Sequence, residues 1–200
     1  KFYINNEKYI KKNFYCTLPR GDIIRKICDK YELFKIAKIN SIPVPDTFLI
    51  SNNKDIDQLN ETDLKFPMFI KGNDVNKWRK LVHPELKGFV VNNKSDLKIK
   101  LNEIINKNIS CIIQEIIKGN DEDNYKGCVY YNNKSKCKLF FSLKKIHHFP
   151  INFGIGASVE SVKNKDLELI TKKLFESLKY TGVGSAEFKV DLNTKTFKLI

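Results

Sequence analysis

The chain has 200 residues, 42% of them hydrophobic, and a formal charge of +13. That is enough apolar material for one sizeable core or two small ones, and no apolar run reaches the length a membrane span needs. The charge is nearly all lysine, with Arg20, Arg25 and Arg79 the three arginines, whereas base readout and bidentate phosphate clamps favour arginine, so scattered solvated lysines are expected and a nucleic-acid partner is not.

Cys16, Cys28, Cys111, Cys128 and Cys137 are odd in number and contain no C-x-x-C pair, which argues against a zinc site or a disulfide framework and for reduced thiols in the cytoplasm. His83, His147 and His148 lack metal-ligand spacing. The opening KFYINNEKYIKKNF has neither an initiator Met nor an apolar signal segment, and reads as the start of a cut-out fragment.

Residues 1–20 show no sustained period and are expected to be a connector. GDIIRKIC is a short helix candidate, and DKYELFKIAKIN a second, with Asp29 as N-cap, Glu32 three residues on, and Tyr31, Phe34 and Ala37 or Lys38 along one stripe. The prolines of SIPVPDT end that helix and lead into the strand FLI. FPMFIKG is a strand with Lys71 at its end, NDVNKWRKLVHPELKG a polar loop carrying Trp78 and Arg79, and GFVVNN a further strand. SDLKIKLNEIINK is a helix with Leu97, Leu101, Ile104 and Ile105 on its core face, and SCIIQEII a buried strand. After the irregular KGNDEDNY come a hairpin around NNKS, a glycine loop at NFGIGAS, and a helix NKDLELITKKLFESLKY closed near its C-cap by Gly182. A last hairpin, SAEFKVD and TFKLI around LNTK, ends the chain. The class expected is α+β, with 1–44 leading in, a first lobe over 45–117 and a second over 118–200.

Lysines at element ends, namely Lys30, Lys71 and the pair Lys144 and Lys145, could converge on a polyphosphate, aided at Lys30 by free helix N-terminal amides. Gln114 and Glu115 interrupt an apolar strand just before a turn, either as a solvated strand end or as a hinge whose backbone meets an adenine edge, with Asp121 and Asp123 in reach of ribose hydroxyls. NFGIGAS has neither the P-loop G-K-[ST] nor G-x-G-x-x-G, so a Walker or Rossmann site is not supported. Glu187 shares a strand face with Ser185 and Lys189, and reads either as a solvated face salted by Lys189 or as a ligand for Mg²⁺.

The ordered series DKYELFKIAKINSIPVPDTFLI, FPMFIKG, IIQEIIKGND, LKKIHHFPINFGIGASVES and GVGSAEFKVDLNTKTFKLI resembles the ATP-grasp superfamily, and within it carboxylate-amine ligases of the D-aspartate ligase type. The resemblance spans residues 22–200 and implies two lobes that clamp ATP, transfer its γ-phosphoryl to a small carboxylate and let an amine attack the acyl phosphate. It assigns phosphate binding to Lys30 and Lys71, the adenine hinge to Gln114, Glu115, Ile116 and Ile117, the ribose to Asp121 with Asp123 as substitute, the transferred phosphate to Lys145 or Lys144, and the first Mg²⁺ ligand to Glu187. It also implies that the loop bearing Trp78 covers the phosphates, although Trp78 packed on its lobe is an equal expectation. In the family, the strand matching TFKLI runs on into a second metal ligand in an E-x-N-P-R-like motif, so the fragment alone is expected to hold Mg·ATP weakly and not to turn over. A bicarbonate-using subunit like biotin carboxylase or carbamoyl-phosphate synthetase, and a basic nucleic-acid-binding module, are the alternatives.

Overall fold

The computed structural model describes residues 2–60, 63–149 and 155–200. They form two compact units, one of residues 28–34 and 45–117, the other of residues 1–27, 35–44 and 118–200. Each is α+β and built on one antiparallel sheet. Among the described residues, no helix is long and apolar enough to cross a membrane.

The first unit has a four-stranded sheet in the order β1-β4-β2-β3, where β1 is Thr47–Ile50, β2 Met68–Gly72, β3 Gly88–Val91 and β4 Cys111–Glu115. Its core joins Ile50, Met68, Ile70 and Ile113 of the sheet to Leu97, Leu101 and Ile104 of the helix Lys94–Ile105. These helical residues recur at helical spacing, and Asn93 caps the helix by accepting the N–H of Asp96 at 2.9 Å.

The stretch expected to be a polar loop forms instead a helix, Val75–Leu81, because Asp74 accepts the N–H groups of Asn76 and Lys77 at its start. Trp78 is 2% exposed and its indole N–H donates to the Leu86 carbonyl at 2.9 Å, so it packs on its lobe as the second of the two expectations had it. Gly72 makes room for it, since a Cβ there would lie 2.5 Å from Trp78 Cβ.

The second unit has five strands in the order β7-β6-β5-β8-β9: β5 Asn124–Tyr131, β6 Cys137–Phe149, β7 Ile155–Ser161, β8 Gly182–Asp191 and β9 Thr196–Leu199. The helix Lys165–Ser177 covers one face of this sheet, with Tyr131 stacked on Phe175 and Gly127 pressed to Thr171. Along β6 the register shifts twice, between Lys145 and His147 and again between His147 and His148, so that Lys145 and His148, three residues apart, are both buried.

Three expectations are corrected here. Residues 2–13 form two short helices, Phe2–Asn5 and Glu7–Asn13, which bury no residue and so carry no apolar stripe that a period could reveal. They are held by polar contacts: the Tyr3 hydroxyl donates to the Pro19 carbonyl at 3.1 Å, and Gly21 N–H to Glu7 at 2.9 Å. The glycine segment NFGIGAS enters β7 from Ile155 onward, pairing Gly156 with His148, while Asn152, Phe153 and Gly154 lie outside the described residues. Gly182 is not the helix cap; Lys179, at φ 48°, takes the left-handed position after the helix, and Gly182 opens β8 at φ 92° against the backbone of Thr17.

Gly182→Ala would place a Cβ 1.6 Å from the Thr17 carbonyl oxygen at a positive φ. We expect a loss of about 3 kcal/mol and a fall in Tm on the order of 10 °C, by calorimetry. Lys179→Gly, which relaxes an exposed left-handed residue, should instead hold or raise Tm slightly.

Candidate functional site

In the first unit, two of the expected lysines are brought together by a buried asparagine. Asn73 follows β2 and reaches the start of the helix Lys30–Ile39: its carbonyl accepts Lys30 N–H at 3.5 Å, its Oδ1 accepts Tyr31 N–H at 2.9 Å, and its Nδ2 donates to Asp29 at 3.0 Å. Asp29 in turn accepts the N–H of Glu32 at 2.9 Å, which confirms it as N-cap. Lys71, two residues before Asn73, therefore stands beside the same helix terminus, with its Nζ 5.3 Å from the centroid of the Phe34 ring. Gly88, its partner across β3, brings Lys87 alongside.

The electrostatics follow from this crowding. Burial, then the charges of Lys30 and Lys87, push the Lys71 pKa down from 10.5 to about 7. Burial lowers Lys30 too, helped by Lys87 and Arg79. Among the described residues no carboxylate pairs with Lys30 or Lys71. A desolvated cluster of like charges is unfavourable by itself and is relieved by a multiply charged anion, to which the helix N-terminus also turns its amides.

At the other end of this sheet, Gln114 is buried and its Nε2 donates to the Thr47 hydroxyl at 2.9 Å. The Glu115 carboxylate accepts Asp46 N–H at 3.2 Å, and Glu115 N–H donates to the Asp46 carbonyl at 2.9 Å. Both side chains thus serve the entry to β1. Glu115 is the last residue paired in β4, and Ile116 and Ile117 follow it beyond the ladder.

The second unit holds a different arrangement. Lys145, 6% exposed, places Nζ 2.7 Å from Glu187, and Lys126 approaches the other carboxylate oxygen at 3.5 Å. Lys126 lies directly opposite Glu187 across β5 and β8. The sequence reading missed Lys126, although pairing the last hairpin with β5 would have found it. It is these two lysines, not Lys189, that flank Glu187; Lys189 donates to the Gly119 carbonyl at 2.8 Å. Lys144 turns instead toward Glu122, at 3.6 Å.

Asp121 opens a 3₁₀ turn, Asp121–Asp123, and is engaged with His148. One oxygen accepts His148 N–H at 3.0 Å, and the other lies 2.6 Å from His148 Nδ1, an ion-pair distance without hydrogen-bond alignment. Asp123 accepts Asn120 N–H at 2.6 Å. No group of three or more His, Cys, Asp or Glu forms a metal cluster among the described residues.

The Lys71 result has a pH signature. Its pKa is about 7 folded and near 10.5 unfolded, so between these values the unfolded chain holds the extra proton and Lys71 makes stability rise with pH. Lys71→Met should therefore be more stable than the parent at pH 7, by on the order of 5 °C in Tm, with the difference shrinking toward pH 10. Thermal scans of both proteins from pH 6 to 10 measure this.

No family model and no curated protein matches the chain. Solved structures do. A D-alanine–D-alanine ligase from Bacillus anthracis complexed with ATP matches at TM-score 0.70 and 15% identity, over 100% of this chain and 64% of that one. N5-carboxyaminoimidazole synthase from Aspergillus clavatus, in complex with ADP and 5-aminoimidazole ribonucleotide, matches at 0.71 and 13%, over 98% and 49%. The VanG D-Ala:D-Ser ligase from Enterococcus faecalis matches at 0.67 and 12%, over 93% and 55%. The chain thus spans between about half and two thirds of these proteins' length, and it has the ATP-grasp fold.

Proposed function

We propose that the chain is the ATP-binding part of a cytoplasmic ligase that activates a small carboxylate as an acyl phosphate and joins it to an amine, releasing ADP and phosphate, in the manner of the D-aspartate ligase type. The observation that carries this reading is the crowding of Lys30 and Lys71, with which no carboxylate pairs among the described residues, on a fold whose neighbours include proteins complexed with ATP and ADP.

In this reading Lys30 and Lys71 receive the phosphates, and the incoming negative charge returns the Lys71 proton. The backbone of Ile116 and Ile117, past the ladder of β4 and next to the engaged side chains of Gln114 and Glu115, meets the adenine edge. Asp121 takes the ribose hydroxyls by exchanging its contact with His148. Lys145 neutralises charge on the phosphoryl group in flight, a task that needs positioning and electrostatics but no dedicated base. Glu187 is a hard-oxygen donor with a 40% exposed side chain, which suits Mg²⁺, an ion content with one or two carboxylates plus phosphate oxygens and water. When bound, the ion would supply further neutralisation of phosphate charge.

Saturating Mg·ATP at about a hundred times its dissociation constant should stabilise the protein by about 2.7 kcal/mol, a Tm rise of roughly 5 to 10 °C, and Lys71→Ala should abolish it. A flat Tm at millimolar Mg·ATP would refute nucleotide binding by this chain. A shift without phosphate release by the intact protein, across carboxylate and amine pairs, would leave binding in place and refute the ligase.

A further inference from the structure

The helix Lys165–Ser177 covers one face of the five-stranded sheet, and the other face carries side chains in three successive rows. Leu143 of β6, Lys126 of β5 and Glu187 of β8 form the first, Phe141, Cys128 and Ser185 the second, and Leu139, Tyr130 and Val183 the third. In the second and third rows three apolar side chains are strongly exposed, Phe141 at 53%, Leu139 at 68% and Val183 at 65%. Contiguous exposed apolar groups of this kind mark a binding surface rather than ordinary surface scatter. From the first row to the third is four residues, about 13 Å at strand rise.

The charge at the near end selects the occupant. Lys126 and Lys145 both face Glu187, leaving one positive charge in excess at the edge of the apolar band. An apolar group with an anionic head satisfies both ends, whereas a neutral apolar group satisfies one. We infer that this face binds a carboxylic acid with an apolar chain, its carboxylate toward Lys126 and its chain along Phe141, Leu139 and Val183. The inference deepens the ligase reading by naming the class of its carboxylate, and rests on that reading for the ligand's role.

The test uses octanoate, octanol and acetate as probes, titrated into the nucleotide-free protein by calorimetry, with a parallel Mg·ATP titration. Octanoate should bind at least tenfold more tightly than either acetate or octanol. Leu139→Asn and Val183→Asn, at exposed positions that leave Tm unchanged, should each weaken octanoate at least tenfold, and Lys126→Gln should weaken octanoate several-fold while leaving octanol unaltered. Equal binding of octanoate and octanol, or indifference to the three substitutions, overturns the inference. So does a concentration-dependent dimer that Leu139→Asn and Val183→Asn abolish, because a second copy then covers the face. Mg·ATP binding without octanoate binding defeats this inference and spares the ligase reading; octanoate binding without Mg·ATP binding does the reverse.

Discussion

The arrangement of the first unit depends on one buried side chain. Asn73 is 8% exposed, and a buried amide is tolerated only when its polar atoms are matched. Here the matching joins the end of β2 to a helix terminus: backbone carbonyl and side-chain oxygen take the first two amides of the helix, the side-chain nitrogen holds its cap, and Asn73 N–H donates to the Ser110 carbonyl at 3.3 Å. Two lysines that strand and helix would otherwise carry separately are fixed beside each other, against their mutual repulsion. The energy for that comes from the hydrogen bonds and from the apolar core behind β2.

The two units handle positive charge in opposite ways. Lys30 and Lys71 stand in a field of like charge, and the protein tolerates it by letting the Lys71 proton leave easily. Lys145 is less exposed than either but lies against Glu187, so its charge is balanced within the chain. Among the described residues, no carboxylate pairs with Lys30 or Lys71, whereas the Lys145 charge meets Glu187 at 2.7 Å.

Much of this was legible in the sequence, for identifiable reasons. Asp29 and Glu32 announced a helix start, Leu97, Leu101 and Ile104 a helix face, and the apolar run at 111–113 a central strand, because in each the local pattern and the final burial agree. Lys71 and Lys30 were picked out as element ends, but their proximity required Asn73, whose role no spacing encodes. The helix Val75–Leu81 was missed because its polar face dominates the composition and its single anchor is Trp78. Gly182 was misassigned because a glycine near a helix end suggests a cap, whereas its conformation answers to Thr17, 165 positions away in sequence. Lys126 became visible only through cross-strand pairing, a long-range fact.

The two register shifts in β6 set the spacing of the chain's own acid contacts. In an unbroken strand, residues three apart point to opposite faces. Here the irregular register lets Lys145 meet Glu187 while His148 meets Asp121, so two contacts near the start of β5 are drawn from one short segment. Length, more than side-chain identity, is what this segment conserves physically: deleting or adding one residue between 145 and 148 would invert the facing of everything on one side of the change, whereas many single replacements at Ile146 or the exposed His147 would leave both contacts in phase.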